Sequence, residues 1–309
     1  MDPRLHAVPI VDAHHHFWDP RVNHHPWLCD EPPIDFRYGD YRALRRPYLP
    51  DDYRRDTAGF RIAASVYVEA EWRAGAALEE LDYIAGLRRD SGLPSVAVAQ
   101  AWLDRDDVGP QLERLQAYPF VRSVRHKPRA NAGPGDATPG GMADAAWRRG
   151  FAQLGRRVGR FDLQTPWWHL HEAVALAREG GDVQILVNHT GLPADRSEQG
   201  LAAWRDALRQ AAQCPNIALK ISGLGLRGRP WTVQDNREVV LTAIDSFGVE
   251  RCMFASNYPV DSLCGRFEQI FEGFATIVRD FSVDEQRALF HDNALRLYDI
   301  PLPEQEVTP

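Results

Sequence analysis

The chain has 309 residues, of which 44% are hydrophobic and 26% are charged, and its formal net charge is −7. This length and composition are typical of a globular protein with a large core. The acidic balance argues against nucleic acid or an anionic membrane surface as the main partner, because such partners select a basic surface. No apolar run of roughly 18 residues occurs, so we expect no transmembrane helix.

The N-terminus and the cysteines indicate the compartment and the redox state. The first residues, MDPRLHAVP, contain no apolar signal region, so we expect a cytoplasmic protein. The four cysteines are scattered and form no CxxC pair: Cys29, Cys214, Cys252 and Cys264. This pattern is typical of reduced thiols rather than of a disulfide framework or a zinc knot.

Eight short β-rich apolar runs recur along the chain, and helical spacing fills most of the stretches between them, as in Ala76–Arg89. The runs are Ile10–His16, Ala63–Ala70, Ser95–Trp102, Val121–Lys127, Arg160–Thr165, Val183–Thr190, Ile217–Gly223 and Arg251–Asn257. Strands that alternate with helices predict a parallel sheet, and eight such units fit a closed barrel better than an open doubly wound sheet. No GxGxxG or GxxxxGK[ST] loop follows any run. We therefore predict an α/β fold, a (β/α)8 TIM barrel, as a single domain over residues 1–309.

Two segments are longer than ordinary loops. The first runs from Trp18 to about Gly59 and is an insertion after strand 1, rich in Pro, Trp, Tyr and Asp. It either covers the catalytic face of the barrel or serves as a packing flange or a contact between copies in a homo-oligomer. The second, Pro128–Asp144, follows strand 4 and is rich in Gly, Pro and Ala. It is either a substrate loop or a tolerated surface insertion.

The first strand runs into the stretch Val-Asp-Ala-His-His-His-Phe-Trp-Asp, which begins at Val11. Side chains alternate between the two faces of a strand, so Asp12, His14 and His16 are expected on one face and His15 on the other. Two imidazoles spaced two residues apart on one face reach a common cation, and imidazole is a ligand that zinc and its neighbours prefer. The alternative interpretation is a histidine-rich surface loop.

Other histidines and polar residues lie at the ends of predicted strands, where barrel enzymes carry their chemistry. His189 ends strand 6, and alternation places it on one face with Ile185 and Val187. Asn257 ends strand 8. His14, His16 and His189 together would form a three-histidine set that holds one divalent metal, zinc above all, and leaves a fourth position for water. Such a metal makes hydroxide available near neutral pH and polarises a carbonyl oxygen, which suits hydrolysis of an ester, lactone or amide.

Candidate substrate-binding residues lie beside this set. Strand 4 ends in Arg125, His126 and Lys127, and alternation places Arg125 and Lys127 on one face and His126 on the other. A cation at this position would bind a substrate carboxylate or stabilise a developing oxyanion, although a solvated position at the barrel rim is the alternative. Glu69 lies near the end of strand 2. Trp18, just after strand 1, either forms an apolar wall of the site or serves in ordinary packing.

Seven stretches together give the chain a specific resemblance. In chain order they are VDAHHHFWD (Val11–Asp19), PYLPDDYRRD (Pro47–Asp56), VYVEAEW (Val66–Trp72), VRHKPR (Val124–Arg129), VNHTGLP (Val187–Pro193), LKISGL (Leu219–Leu224) and MFASNYPVD (Met253–Asp261). With them the chain resembles the amidohydrolase superfamily, and within it the lactonase branch that includes fuconolactonase-like and pyrone-dicarboxylate lactonase enzymes. The resemblance implies a (β/α)8 barrel and implies that His14, His16 and His189 are site residues.

One position departs from the pattern of the family it resembles. Strand 8 of that family usually ends in an Asp that binds the metal and accepts the proton of the attacking water, and here Asn257 stands in its place. An amide is neutral and cannot accept that proton. Three routes stay open: a three-histidine metal generates hydroxide unaided, Asp261 acts as the base, or the site works without metal and His189 or His126 is the base. A chain that has lost the chemistry is the fourth reading.

The main hypothesis is therefore a hydrolase that opens a lactone, derived from a sugar acid or from aromatic ring cleavage, with an activated water at the barrel mouth. We expect a small substrate that is anionic or polyhydroxylated. One alternative is a metal-dependent decarboxylase or hydratase of the same superfamily. The other is a barrel that binds a small molecule without turnover.

Overall fold

Strands and helices alternate along the chain in the computed structural model, which describes residues 8–301. The strands are β1 (Ile10–His15), β2 (Ile62–Val68), β3 (Val96–Gln100), β4 (Val121–Arg125), β5 (Arg160–Leu163), β6 (Gln184–Val187), β7 (Ile217–Ile221) and β8 (Cys252–Phe254). They form one sheet in the order β1 to β8, and each neighbouring pair is parallel. The predicted (β/α)8 TIM barrel is confirmed, and each strand ends one to three residues before its predicted end.

The α-helices lie between and after the strands. They are α1 (Pro26–Cys29), α2 (Pro50–Asp56), α3 (Ala77–Ser91), α4 (Val108–Arg114), α5 (Ala145–Arg157), α6 (Leu170–Glu179), α7 (Glu198–Ala212), α8 (Val233–Phe247), α9 (Phe267–Ile277), α10 (Val283–Arg287) and α11 (Asn293–Tyr298). Helix α7 shows why the sequence folds this way: the Ser197 hydroxyl caps it by accepting from Gly200 N, and Trp204 and Leu208 share its buried face. No helix among residues 8–301 is long and apolar enough to cross a membrane.

The interior of the barrel is filled mainly by apolar side chains, with the buried Lys220–Asp162 ion pair among them. Val11, Val66, Val98 and Met253 belong to this inner cluster, which α11 extends with Tyr298. A separate, larger cluster lies between the sheet and the surrounding helices. Because the interior is packed, ligands have room only at the C-terminal ends of the strands, where loops surround a cavity.

The barrel closes where β1 meets the chain that follows β8. Asn257 N donates to His14 O at 2.8 Å, and His16 N donates to Tyr258 O at 2.7 Å. The buried Asp12 carboxylate strengthens this seam: its Oδ1 accepts from Ser256 N at 2.8 Å, and its Oδ2 accepts from Ser256 Oγ at 2.6 Å. Closure therefore fixes the ends of the first and last strands relative to each other.

One local prediction for β1 is wrong. The register between β1 and β2 shifts between Asp12 and His15, so an extra residue interrupts simple alternation. Asp12 accepts a hydrogen bond from the Tyr53 hydroxyl at 3.0 Å, and the His15 ring also packs against Tyr53, so both point to the helix side. His14 lies on the other side with His16. The bulge thus separates Asp12 from the two histidines that it was expected to join.

The predicted insertion after strand 1 covers residues 18–59 and folds back over the barrel. Trp18 and Tyr48 pair in a short antiparallel bridge, with N–O distances of 3.1 and 2.9 Å. The Trp18 indole Nε1 donates to Leu44 O and Arg46 O. These contacts fold the segment back on itself beside the end of β1, near the mouth of the barrel.

We predict that Asp12→Ala lowers the free energy of unfolding by about 2–4 kcal/mol, because Ser256 and Tyr53 lose a buried hydrogen-bond acceptor. Urea unfolding followed by circular dichroism measures this loss. The control is Asp106→Ala, which removes an exposed carboxylate and should change stability by less than about 0.5 kcal/mol. Equal effects of the two substitutions would contradict the role of Asp12 in the seam.

Candidate active site

Three buried imidazoles lie together at the C-terminal mouth of the barrel. The ring centroids of His14 and His16 are 5.0 Å apart, and those of His14 and His189 are 4.6 Å apart. All three side chains are buried. Two segments that are more than 170 residues apart in sequence therefore bring their histidines to one point, as the sequence predicts.

His189 reaches this cluster by a route that alternation does not predict. Ile185 and Val187 belong to the cluster between sheet and helices, so the face on which His189 was expected is the outer one. After β6 ends, His189 and Thr190 take left-handed conformations, with φ of 56° and 53°. This turn redirects the imidazole to the mouth of the barrel, and Gly223, itself at φ 62°, packs against the ring where a side chain would clash.

Hydrogen bonds fix the orientation of two of the rings. His16 Nδ1 donates to Val68 O at 2.7 Å, which leaves Nε2 as the acceptor nitrogen of that imidazole. His189 Nδ1 lies 2.9 Å from the Ser222 hydroxyl, at the end of β7. Both ring nitrogens of His14 are buried without a hydrogen-bond partner. A buried imidazole without a partner costs free energy, so His14 marks a position at which a ligand would be stabilising.

Burial and nearby cations keep the three imidazoles neutral. Burial lowers the pKa of each ring well below its ordinary value. The cation of Lys220 lowers the pKa of His14 further, Arg125 does so for His16, and Arg37 for His189. Lys220 is fully buried inside the barrel, where its Nζ lies 2.6 Å from Asp162 Oδ1. Neutral imidazoles present lone pairs, which both a cation and a proton require.

Two ion pairs join the ends of β2 and β4 beside the histidines. Arg125 and Glu69 form a buried pair, and Arg125 Nη1 also donates to Gln164 Oε1 at 3.0 Å. Lys127 and Glu71 form a second, partly exposed pair. Arg125 and Lys127 thus lie on the same side of β4, as alternation predicts. The pocket at this point has a volume of about 210 Å³, and its walls include His16, His189, Asn257, Arg125, Lys127 and Trp18.

Asn257 is held by Asp261. Asn257 Nδ2 donates to Asp261 Oδ1 at 2.6 Å, and the same oxygen accepts from the Tyr38 hydroxyl at 2.9 Å. Since the amide nitrogen of Asn257 is engaged, its carbonyl oxygen is the polar atom left for the pocket. Burial raises the pKa of Asp261 to about 6, while Arg37, 3.9 Å away, opposes this rise. Asp261 lies behind Asn257 and is 1% exposed, so it reaches the pocket through that residue.

His126 is not part of this cluster. Its ring packs against Trp102 and Trp147 on the helix side of β4, and its Nδ1 accepts from Leu103 N at 3.1 Å. The structure therefore brings together His14, His16, His189, Asn257, Arg125, Lys127, Glu69 and Trp18, places Asp261 directly behind them, and leaves His126 outside.

Arg37 and Tyr38 are site residues that the sequence did not reveal. Both come from the insertion after β1, and Arg37 lines the pocket beside His189 and Asn257. Irregular segments have no periodicity from which a side chain's direction follows. The only signal was indirect: a long aromatic insertion after the first strand of a barrel lies on the catalytic face.

Comparison with known proteins assigns this barrel to a family. A family model described as amidohydrolase matches residues 11–300. The chain belongs to the amidohydrolase family. It is 36% identical over 299 residues to the uncharacterized protein y4mH of Sinorhizobium fredii, with 95% of this chain and 99% of that protein covered. It is 28% identical to an L-fucono-1,5-lactonase of Burkholderia multivorans, with 95% and 97% covered.

A solved structure matches the fold of this amidohydrolase closely. It is the crystal structure of a Burkholderia multivorans amidohydrolase with bound zinc, which is 25% identical, covers 95% of this chain and 100% of its own, and has a TM-score of 0.77. Family membership and the lactonase relatives together support assignment of the present chain as a hydrolase.

Amidohydrolases of this superfamily are typically metal-dependent, so the fit of the site to a metal can be judged. Among residues 8–301, no group of three or more His, Cys, Asp or Glu side chains stands in a ligating arrangement. The donor chemistry nevertheless fits a divalent cation, because His14 has two unpartnered ring nitrogens and His16 and His189 are neutral and oriented through Nδ1. His14, His16 and His189 are the residues that would hold it.

We predict that Glu69→Gln lowers the free energy of unfolding much more than Glu71→Gln does. Glu69→Gln leaves Arg125 buried without a counterion and lowers the free energy of unfolding by about 3–5 kcal/mol. Glu71→Gln breaks a partly exposed pair with Lys127 and costs less than about 1 kcal/mol. Urea unfolding of the two variants measures the difference. Equal losses would show that the Arg125–Glu69 pair is not the buried anchor described above.

Proposed function

We propose that this chain hydrolyses a lactone at the C-terminal mouth of its barrel. The observation that carries the proposal is the combination, in one pocket of about 210 Å³, of the buried histidines His16 and His189 with Arg125 and Lys127. Such a pocket suits a small carbonyl compound whose hydrolysis creates negative charge. The similarity to L-fucono-1,5-lactonases, which extends over 95% of the chain, supports a lactone as substrate.

A bound divalent cation would supply an acidified water and polarise the carbonyl oxygen, and His14, His16 and His189 would hold it. Zinc is the metal we propose, because imidazole ligands suit it and a similar amidohydrolase contains it.

The remaining residues handle orientation and charge. The carbonyl oxygen of Asn257 accepts a hydrogen bond from the attacking water, and Asp261 positions that amide through its bond to Nδ2. Trp18, with Trp27 and Phe36 of the insertion, excludes bulk water from one side of the pocket. Asp261 is a positioning residue in this scheme, because Asn257 stands between its carboxylate and the pocket.

Hydrolysis adds the oxygen of water to the carbonyl carbon, breaks the ring C–O bond and transfers a proton to the departing ring oxygen. The product is a hydroxy acid, and its new carboxyl group releases the second proton to solvent and becomes a carboxylate. Lys127 lies in the pocket, is about one-third exposed and is paired with Glu71. It stabilises the developing oxyanion and then the product carboxylate by exchanging part of that pairing for the substrate oxygen. Arg125 reinforces the positive potential, although Glu69 compensates its own charge.

The test is a panel of sugar-acid and aromatic ring-cleavage lactones, assayed by acid release with and without chelator. We predict that the His14→Ala/His16→Ala double variant loses at least ~100-fold in kcat/KM on any lactone that the wild type opens. His24→Ala is the control, because His24 is an exposed histidine near the same strand. Wild-type turnover by the double variant would overturn the proposal.

A further inference from the structure

A second and larger cavity lies next to the histidine pocket. Its volume is about 890 Å³, and its walls are formed mainly by Trp167, Trp168, Leu192, Pro193 and Leu226, with arginines at its edge. A pocket of this size and character is typical of sites for small organic molecules. Hydrolysis in the small histidine pocket does not require the larger cavity, so the larger cavity needs an explanation of its own.

The two cavities are structurally continuous. Arg37 lines both of them. Gly223 lines the large cavity and also packs against the His189 ring, so only a glycine-sized residue separates the cavity from that imidazole. Leu192 follows directly on the left-handed turn that places His189. Part of the wall of the large cavity, at Leu192, therefore belongs to the same short segment as His189.

Aromatic side chains give the large cavity a flat and fixed apolar surface. The rings of Trp167 and Trp168 pack edge to face, with centroids 5.5 Å apart. Trp168 Nε1 donates to Asn131 Oδ1 at 2.7 Å, which fixes that indole. Both indoles are only partly buried, so apolar area stays open for a ligand. Rigid aromatic area of this kind stabilises an aromatic or aliphatic group that packs on it.

The edge of the cavity carries the Asp195 carboxylate and three arginines, one of which lacks an ion-pair partner in the described part of the chain. Arg227 pairs with Asp35 at 2.5 Å, and Arg37 faces Asp261 at 3.9 Å. Arg196 forms no ion pair among residues 8–301; burial lowers its pKa, although the charges of Asp235 and Glu238 are near enough to oppose that fall. Its Nη2 makes long contacts to Leu224 O and Asn236 Oδ1, at 3.2 and 3.3 Å. Its Nε and Nη1 are buried without a hydrogen-bond partner. An anionic group at this guanidinium would supply the missing countercharge.

We propose that the large cavity binds the non-reacting part of the substrate, and that this part is an aryl or alkyl group that carries a carboxylate. The reacting lactone ring then occupies the histidine pocket, the apolar group packs on the two indoles, and the carboxylate approaches Arg196. This inference rests on the proposed lactonase function for the identity of the reacting ring, but the ligand class of the cavity stands on its own contacts.

Calorimetric binding of 4-phenylbutanoate tests the cavity without any turnover. The neutral 4-phenylbutanamide has the same shape and is the matched probe. We expect the acid to bind at least about tenfold more tightly than the amide, because one charge-assisted contact distinguishes them. Arg196→Gln should remove that preference, and Arg196→Lys should restore part of it. Equal binding of the two probes by the wild type, or no binding of the acid, overturns the proposal.

Two substitutions on α7 test the position of the ligand. Ala203 and its neighbour Ala202 are both exposed, but only Ala203 lines the cavity. Ala203→Trp should place an indole inside the cavity and weaken binding of the acid at least about tenfold, whereas Ala202→Trp should leave that binding unchanged. Equal affinities in these variants overturn the proposal. The two alanine variants also test whether the acid binds in the cavity if Arg196→Gln fails to fold. Ala203→Trp could instead change the oligomeric state without changing the affinity for the acid. That result would identify this face as an interface between copies and would also overturn the proposal.

The two proposals fail in different ways. Hydrolysis of lactones combined with no binding of 4-phenylbutanoate overturns the cavity assignment alone. Binding of the acid with the predicted variant pattern, combined with no lactone turnover, overturns the lactonase assignment alone. When both hold, a lactone that carries a phenylalkyl carboxylate should lose at least about tenfold in kcat/KM in Ala203→Trp relative to Ala202→Trp. Equal kcat/KM values would overturn the claim that this cavity holds part of the substrate.

Discussion

Closure of the barrel between β1 and the chain after β8 is the constraint on which the site depends. Asp12 and Ser256 hold this seam with two short hydrogen bonds, and the backbone of His14 pairs with that of Asn257 across it. The bulge after Asp12 then lets Asp12 serve the seam while His14 points to the mouth. One short segment thus supplies both the contacts that close the barrel and a histidine at its mouth, on opposite sides of the strand.

The electrostatics of the mouth follow from how its charges are compensated. Each buried cation near the histidines has an anion beside it: Glu69 for Arg125 and Asp162 for Lys220. The paired cations still lower the pKa values of the imidazoles, so the histidines stay neutral in a charged environment. Asn257 is also a neutral group held by a buried charged residue, Asp261. The carboxylate that the resemblance leads one to expect at this point stands four residues later in the sequence, at Asp261, where it orients a neutral amide.

Much of the fold could be predicted from the sequence, because eight buried strands in alternation with helices leave few other architectures. The cluster of His14, His16 and His189 could be predicted as well, because strand ends of a parallel barrel meet at one mouth. The local backbone conformations that direct these side chains could not be predicted. The bulge at Asp12 and the left-handed turn at His189 break the alternation on which directions were predicted. Arg37 and Tyr38 come from an irregular insertion, whose course depends on tertiary contacts such as the Trp18–Tyr48 bridge.

Lactone turnover in two histidine variants tests the central claim most directly. His189 lies in the mouth of the barrel, whereas His126, equally near a strand end in sequence, lies between tryptophans on the helix side. The account predicts that His189→Gln lowers kcat at least ~100-fold and that His126→Gln keeps it within about threefold of the wild type. Retention of activity in the first variant and its loss in the second would contradict the account.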